Sequence, residues 1–193
     1  MRIAVVIGST RPGRKGEAVG RWVAEQATAR VQAGEAAEGV EYELVDLAGF
    51  DLPLLSEPTV PGAANGQYEN PATAAWARTI APFDGYLFVT AEYNHSIPAA
   101  FKNAFDVLFV EWRHKAIGFV GYGAANGVRA VEHWRAVVAN ASMLQARNQA
   151  GVNVFTAFSP DGTFTAPEEL VTTLRTTLGE LEELTALAAS RRA

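Results

Sequence analysis

The stretch that decides the fold runs from Ile3 to Gly16 and reads IAVVIGSTRPGRKG. Its first five residues form an unbroken apolar run that stops at Gly8, as expected for a strand covered on both faces in a parallel sheet. From Glu17 onward apolar residues recur at helical spacing, and this pattern ends in polar sequence near Gly34. The chain is therefore predicted to open as strand, loop and helix.

The same alternation of strand and helix continues along the chain. Continuous apolar runs at Tyr86–Val89 and Ile117–Val120 predict two more buried strands, and the partly alternating Glu41–Leu47 predicts an edge strand. Val152–Phe155 is predicted as the fifth strand. Helices are predicted around Trp76 and Ile80, over Pro98–Asp106 with Ser96 as N-cap, around Val131, Trp134 and Val138, and along Leu170, Leu174, Leu178, Leu181 and Leu184. The pattern predicts an α/β fold with a doubly wound, five-stranded parallel sheet in a single domain over residues 1–193.

Composition narrows the classes of function. The chain has 193 residues, 49% hydrophobic and 19% charged, with a net charge of −5. This balance allows one sizeable core and argues against nucleic-acid or anionic-membrane partners. There is no cysteine, and the three histidines show no metal-ligand spacing, so neither thiol chemistry nor a bound metal is expected. No stretch is long and apolar enough for a signal peptide or a membrane span, so a cytoplasmic protein is expected.

The first loop combines features that favour an anion. Ligands of doubly wound sheets bind beyond the carboxyl ends of the strands. Gly8–Gly16 places three glycines, the hydroxyls of Ser9 and Thr10 and three cations at a helix N-terminus, which is typical of a phosphate cradle. The loop lacks both the Lys-Ser/Thr pair of a nucleoside-triphosphate loop and the GxGxxG spacing of a dinucleotide loop. An ordinary strand-to-helix turn with solvated basic residues is the alternative interpretation.

Two further loops suit a flat ligand. Ala91–Ser96 and Gly121–Gly127 contain small residues that let backbone groups approach the edge of a ring. Tyr93 and Tyr122 are expected to flank such a ring, and Asn94 to hydrogen-bond it. Each loop alone is equally compatible with an ordinary turn. Together, beside a phosphate cradle, they predict a planar aromatic ligand.

Other segments suggest coverage of the site and association of subunits. Ser56–Pro71 has little periodicity and is predicted to be a surface loop long enough to cover a site. Lys102 and Asp106, four residues apart, predict a local ion pair or a subunit contact. The predicted helix at Pro98–Asp106 and the turn after it carry more large aromatic residues than one helix face and a turn can bury. This surplus predicts a homodimer or larger assembly. The residues are Phe101, Phe105, Phe109 and Trp112.

Three segments carry a resemblance to a known family. GSTRPGR at Gly8–Arg14, AEYNHSIPAAFKNAFD at Ala91–Asp106 and GYGAANGVRAVEHWR at Gly121–Arg135 are similar to the three motifs of the NADPH-dependent FMN reductase family, whose members are flavodoxin-like. Ala91 and Ala124 stand where the family usually has Pro and Gly. The resemblance implies an FMN enzyme that takes hydride from NADPH or NADH and reduces flavins, quinones, azo dyes or related acceptors. We expect such an enzyme to work by a ping-pong mechanism.

The resemblance also implies roles for individual residues. Ser9, Arg11 and Arg14 would hold the FMN phosphate. Glu92, Tyr93 and Asn94 would line the isoalloxazine ring, with Gly121, Tyr122 and Gly123 on its other edge. No catalytic side chain is expected, because N5 of FMN carries the chemistry. The complete set of expected cofactor contacts is Ser9, Thr10, Arg11, Arg14, Gly16, Glu92, Tyr93, Asn94, Ser96, Gly121, Tyr122 and Gly123.

The expected partners follow from the same resemblance. They are a small-molecule electron acceptor and a second subunit that helps to wall the flavin site, in a homodimer or homotetramer, with no nucleic acid or membrane. Two alternatives remain open at this stage. One is a non-enzymatic electron carrier of the flavodoxin kind, although the net charge of −5 is modest for a carrier that docks through an acidic face. The other is a flavin-binding structural or sensory subunit.

Overall fold

The computed structural model describes residues 1–192 and places helices on both faces of one sheet. The strands are β1 (Arg2–Ile7), β2 (Glu41–Asp46), β3 (Gly85–Ala91), β4 (Ala116–Gly123) and β5 (Leu144–Asn153). The helices are α1 (Gly16–Gln32), α2 (Pro61–Ala64), α3 (Pro71–Ile80), α4 (Ala99–Asp106), α5 (Val128–Ala139) and α6 (Glu168–Arg192). Neighbouring strands are parallel in the order β2-β1-β3-β4-β5. This is the flavodoxin-like doubly wound order, and it confirms the predicted fold.

Strand β1 shows how the sequence builds both faces of the sheet. Its apolar residues are buried, and successive side chains of a strand point to opposite faces. Ala4 and Val6 therefore join an aromatic-rich core under α3, α4 and α5. Ile3 and Val5 join a largely aliphatic core under α1 and α6. An unbroken apolar run is needed here because neither face of this central strand meets water.

The aromatic residues of α4 and the turn after it are buried within the chain itself. Phe101, Phe105 and Trp112 are 1%, 5% and 0% exposed, and Phe109 is half-buried against the same core. The rings of Phe105 and Trp112 stack with centroids 5.1 Å apart. The expectation that these residues need a second subunit to cover them is wrong, because β3, α3 and α5 already cover them.

Strand β5 begins earlier than the predicted Val152–Phe155. Its first half is polar, and its register shifts opposite the stretch of β4 that follows Ile117. There the amides of Arg147 and Asn148 donate to the carboxylate of Glu180 on α6 at 2.8 and 2.9 Å. The hydrophobic pattern misses this half of the strand because its residues are mostly polar. Leu144 and Gln145 still pair with β4, and Glu180 satisfies the two amides at the register shift.

Three loops leave the sheet side by side at the carboxyl ends of β1, β3 and β4. The amide of Gly8 donates to the carbonyl of Val89 at 3.0 Å, and the amide of Glu92 donates to the carbonyl of Tyr122 at 3.1 Å. These bonds extend the sheet by one step beyond its strands. The first, second and third loops are consequently neighbours, as the strand order requires.

The predicted N-cap of α4 is wrong. The helix begins at Ala99 and its cap position is Pro98. Ser96 lies earlier because it closes a tight turn with Tyr93, in which each amide donates to the other residue's carbonyl at 3.0 Å. The serine therefore belongs to the second loop rather than to the helix.

The segment 56–71 is largely irregular apart from α2. The carboxylate of Glu57 accepts the amides of Glu69 and Asn70 at 2.9 and 3.1 Å, which ties the two ends of the segment together. Tyr68 donates its hydroxyl to Glu111 at 2.8 Å. The segment is thus held against the turn that follows α4.

A buried carboxylate fastens the last helix to the rest of the chain. Glu182 on α6 is 2% exposed. It accepts hydrogen bonds from Arg30 Nε at 3.2 Å, from the Ala37 amide at 3.0 Å and from Tyr42 Oη at 2.7 Å. A buried charge requires such partners. Within residues 1–192 no helix combines the length and the apolar character needed to cross a bilayer.

Candidate active site

The first loop packs directly on an aromatic ring. Gly8 ends the β1 run, and a Cβ atom placed on it would lie 1.7 Å from Cδ1 of Phe101. A residue larger than glycine at this position would overlap the ring. The loop therefore starts from a backbone position that α4 fixes.

The start of α1 offers unused hydrogen-bond donors. Its cap residue Lys15 supplies no side-chain hydrogen bond, and the lysine Nζ turns away to donate to the carbonyl of Val154 at 3.1 Å. Among residues 1–192 no acceptor is bonded to the amides of Gly16 and Glu17. Free amides and the positive end of the helix dipole together favour an anion at this position.

The two arginines of the first loop differ in their surroundings. Arg14 is largely buried, donates to the Ser9 carbonyl at 2.8 Å and forms ion pairs with Asp46 and, at 3.8 Å, with Glu17. Its charge is thereby balanced inside the chain, so its contacts brace the loop against β2. Arg11 is exposed and donates to carbonyls of its own loop, at 3.1 Å to Pro12 and 3.3 Å to Gly13.

Two hydroxyls join the first loop to the second. Ser9 is 1% exposed, and its Oγ lies 3.1 Å from Oη of Tyr93. Tyr93 itself is 40% exposed. Thr10, also expected at the site, is exposed and lines a cleft of about 500 Å³ bounded by residues 47–52, Ala100 and Asn103.

The second loop carries an unusual backbone. Asn94 and His95 both have left-handed φ values, +50° and +65°. Both side chains are exposed. Ser96 is held from the side, with Oγ 2.8 Å from Nδ1 of His133 on α5. Non-glycine residues in this conformation are uncommon and concentrate at functional sites.

Glu92 does not present a free carboxylate. Its side chain is 6% exposed and pairs with Arg129 at the start of α5. The Arg129 amide donates to it at 3.0 Å and Nε at 2.6 Å. Burial acts to raise the pKa of the Glu92 carboxyl, but the Arg129 hydrogen bonds and charge outweigh it and lower the pKa below its usual range. The carboxylate thus ties the second loop to α5.

The third loop begins within the last residues of β4, which include two glycines. Gly121 is buried and pairs with Thr90, and Gly123 is half-buried and pairs with Asn153. Both expected residues therefore lie at the sheet edge. In the described part of the chain no group of three His, Cys, Asp or Glu side chains is arranged to hold a metal ion.

Tyr122 lies elsewhere than its sequence context suggested. Its side chain is 5% exposed and reaches beneath the first loop, where a Cβ atom on Gly16 would come within 2.3 Å of its Oη. Within the described residues this hydroxyl has no hydrogen-bond partner. Burial raises the pKa of the phenol to about 12. A buried, neutral donor thus lies at the start of α1.

Three residues that support the site were not among those expected from sequence. Asp46 balances Arg14, Arg129 holds Glu92, and His133 holds Ser96. Asp46 is the last residue of β2, and an acidic residue at the carboxyl end of a strand beside a basic loop was an available signal. No local pattern marked the other two as partners of the second loop.

Known proteins match most of the chain. The family model for NADPH-dependent FMN reductase matches residues 1–157. An NAD(P)H-dependent FMN reductase of Schizosaccharomyces pombe is 36% identical over 126 residues, 65% of this chain and 60% of that protein. An NAD(P)H-dependent FMN reductase of Saccharomyces cerevisiae is 28% identical over 190 residues, 96% of this chain and 95% of that protein. The alignment thus spans less than two thirds of the first relative and nearly all of the second.

The fold agrees with these matches. FerB, a flavoenzyme NAD(P)H:(acceptor) oxidoreductase from Paracoccus denitrificans, superimposes with a TM-score of 0.68 at 18% identity, covering 96% of this chain and 97% of that one. The residues that the family model matches include all five strands and all three site loops. The chain therefore belongs to the NADPH-dependent FMN reductase family.

Proposed function

We propose that this chain binds FMN across its three site loops and catalyses the NAD(P)H-dependent reduction of a flavin, a quinone or a related planar acceptor. The observation that carries the proposal is the unpartnered Tyr122 hydroxyl at the start of α1. In a folded protein nearly every buried polar group has a partner. A donor left without one beneath a basic, glycine-containing loop indicates that the partner belongs to a ligand.

The residues at the first loop fit the phosphate end of FMN. The free amides of Gly16 and Glu17, the exposed guanidinium of Arg11 and the Tyr122 hydroxyl are all donors. Phosphate offers only acceptors at neutral pH, and helix N-termini commonly bind it. Arg14 would contribute by bracing the loop, because Asp46 already balances its charge.

The second and third loops fit a flat ring system. Tyr93 and Asn94 are exposed in the loop that follows β3, and β3 pairs with the end of β4 at Gly121 and Tyr122. The hydrogen bond between Tyr93 and Ser9 sets the position of the tyrosine relative to the first loop. The phosphate end of the ligand would thus be held by charge, and its ring system by contacts with the second and third loops.

The contribution of the protein is positioning. When bound, FMN supplies the redox chemistry, accepting hydride from a reduced nicotinamide and passing it to the acceptor. Hydride transfer itself requires no protein base, and the proton that a reduced acceptor takes up can come from solvent. No side chain of the loops is therefore assigned as catalytic. The chain's own residues hold the ligands in register, and such orientation lowers the barrier substantially. An open second loop suits a ping-pong mechanism, in which donor and acceptor occupy one face in turn.

We also propose that the protein acts in the cytoplasm as a homodimer or homotetramer. Leu54 and Val60 are 78% and 69% exposed. In the chain they come shortly after residues 47–52, which line the cleft beside Thr10. Exposed apolar residues close to a site are typical of a surface that another subunit covers. Sedimentation velocity of the FMN-loaded protein at micromolar concentration tests this; a single monomeric species with full activity would contradict it.

The function is tested by separating the two half-reactions. FMN-loaded protein is mixed anaerobically with NADPH or NADH in a stopped-flow instrument, and the flavin absorbance is followed. We expect rapid bleaching, followed by recovery when a quinone or free flavin is added after the nicotinamide has been removed. Parallel lines in steady-state double-reciprocal plots would support the ping-pong order. Bound flavin that neither nicotinamide bleaches would instead indicate an electron carrier or a flavin-binding subunit.

A further inference from the structure

Tyr122 is an exception among the buried polar side chains. In the part of the chain that the structure describes, its hydroxyl is the one buried side-chain polar atom without a hydrogen-bond partner. Other buried tyrosine hydroxyls do have partners: the Tyr86 hydroxyl lies within hydrogen-bond distance of the carbonyl oxygens of Ile80, at 3.0 Å, and Glu111, at 3.1 Å. Leaving a buried hydroxyl unpaired costs free energy. The surroundings of the Tyr122 hydroxyl should therefore show why it has no partner.

The location of the hydroxyl is the start of α1. The Cβ atom that Gly16 lacks would lie 2.3 Å from Oη and 3.0 Å from Cζ of Tyr122. A side chain at position 16 would therefore displace the phenol. The absence of a side chain at Gly16 lets the hydroxyl pack directly against the first turn of the helix, where free amides carry partial positive charge.

The groups around the phenol are those of an anion site. Burial raises the pKa of Tyr122 to about 12, and nearby Tyr93 acts in the same direction. The Ser9 hydroxyl and the charges of Arg14 and Arg11 act to lower this pKa but do not outweigh burial. The phenol consequently stays protonated throughout the physiological pH range. A nearby negative charge strengthens the hydrogen bond that this hydroxyl donates. A phosphate oxygen is an acceptor of the required kind.

We propose that the Tyr122 hydroxyl donates a hydrogen bond to the terminal phosphate of the bound flavin and so makes the site selective for FMN over riboflavin. The proposal rests on the proposed function. It assigns Tyr122 to the phosphate end of the cofactor, whereas its place in the third motif had suggested the ring edge. The same residue then links the two ends of the site, because its backbone lies at the sheet edge between Gly121 and Gly123.

The test compares two flavins that differ only in the phosphate. Ligand-free protein, wild type and Tyr122→Phe, is titrated with FMN and with riboflavin, and binding is followed by quenching of flavin fluorescence. We expect Tyr122→Phe to weaken FMN binding about ten- to a hundredfold, the range for a hydrogen bond to a charged group. The affinity for riboflavin is expected to stay within about twofold of the wild-type value, because riboflavin has no phosphate for the Tyr122 hydroxyl to contact.

Thermal unfolding of the ligand-free protein supplies a second, independent readout. Phenylalanine removes a hydroxyl that has no partner, so the midpoint is expected to stay unchanged or to rise. Tyr86→Phe is the matched control, since it removes a partnered hydroxyl from a fully buried tyrosine on the adjacent strand. It should lower the midpoint and leave the ratio of FMN to riboflavin affinity unchanged. The ³¹P resonance of bound FMN should shift in Tyr122→Phe and not in Tyr86→Phe.

The possible outcomes separate this inference from the proposed function. Equal weakening of FMN and riboflavin, unchanged FMN affinity, or a lower unfolding midpoint in ligand-free Tyr122→Phe would each overturn the phosphate contact. In all three cases the wild type still binds FMN, and the proposed function stands. Failure of the wild-type chain to bind FMN would overturn the proposed function itself.

Discussion

The first loop and the turn at 93–96 lie side by side yet are built in opposite ways. In the first loop Ser9 is buried and Arg14 is neutralised by carboxylates, so these two side chains are held in place by the chain itself. In the turn Asn94 and His95 are exposed and hold a left-handed backbone. A rigid end suits a ligand that stays, and an open end suits ligands that exchange. The contrast is what we would expect of a resident cofactor serving successive substrates.

The largest effect is expected where the first loop meets the core. Gly8→Ala would place a methyl group 1.7 Å from the Phe101 ring, and relief requires movement of β1 or α4. We expect the free energy of unfolding in urea to fall by about 3 kcal/mol. Gly49→Ala is the control, because a Cβ atom there has no neighbour within 4 Å. Equal stability of the two variants would show that the loop is far less rigid than described.

Arg11→Ala sharpens the comparison within the first loop, because Arg11 is its exposed cation. We expect FMN binding to weaken by about 1.5–3 kcal/mol, the range for a charge-assisted hydrogen bond, with little change in the stability of the ligand-free protein. Titration calorimetry measures the affinity. Arg21→Ala, an exposed arginine on α1 paired with Glu17, is the control. Loss of FMN affinity in both variants would point to general electrostatics rather than a phosphate contact.

The pH dependence of stability tests how the turn is anchored. The pKa of Glu92 is lowered in the folded protein, so its pairing with Arg129 stabilises the fold above the unfolded-state pKa of about 4.3. This contribution is lost as the pH falls through the lowered value. Glu92→Gln should therefore cost about 1 kcal/mol at pH 7 and progressively less below about pH 4.

Urea unfolding of wild type and Glu92→Gln at several pH values measures this difference. Glu25→Gln, at an exposed position on α1, is the matched control for the change of glutamate to glutamine. A difference between wild type and Glu92→Gln that grows towards low pH would contradict the assignment, because its sign would be reversed.

The smallest effect is expected at the tip of the turn. His95→Asn keeps a residue type that tolerates the left-handed backbone and removes the one imidazole of the three site loops. If the protein only positions its ligands, the rate of flavin bleaching by NADPH should stay within about tenfold of wild type, or about 1.4 kcal/mol. A thousandfold loss in stopped-flow experiments, with FMN still bound, would make His95 a catalytic residue.

The sheet was predictable because its central strands are buried on both faces. IAVVI, YLFV and IGFV each predict a strand without reference to the rest of the chain, and the strand order then places the three loops at one edge. The first half of β5 was missed because its residues are mostly polar. Its irregular backbone at Arg147 and Asn148 is held by Glu180, more than thirty residues away. No local pattern encodes such a contact.

The side-chain arrangement of the site was less accessible from sequence. Tyr122 shares a face of β4 with Val120, and both belong to the core under α1. The two-residue repeat of a strand could therefore have placed it beneath the first loop rather than beside a ring. The pairing of Arg14 with Asp46, by contrast, depends on the register of β1 against β2, in which Ile7 stands opposite Asp46. The acidic residue at the end of β2 could suggest a partner for the basic loop, but the register that brings it to Arg14 emerges only from the assembled sheet.

The Glu182 cluster has a consequence for biosynthesis. Tyr42 and its carboxylate partner are 140 residues apart, so at about 5–20 residues per second a ribosome needs roughly 7–28 s to synthesise the segment between them. Late in that interval, once residue 153 has been made, the nascent chain has its five strands but lacks α6, and the part of the aliphatic face that α6 covers is exposed. Chaperone occupancy along the translating chain should therefore peak before residue 168 and fall once the last helix emerges.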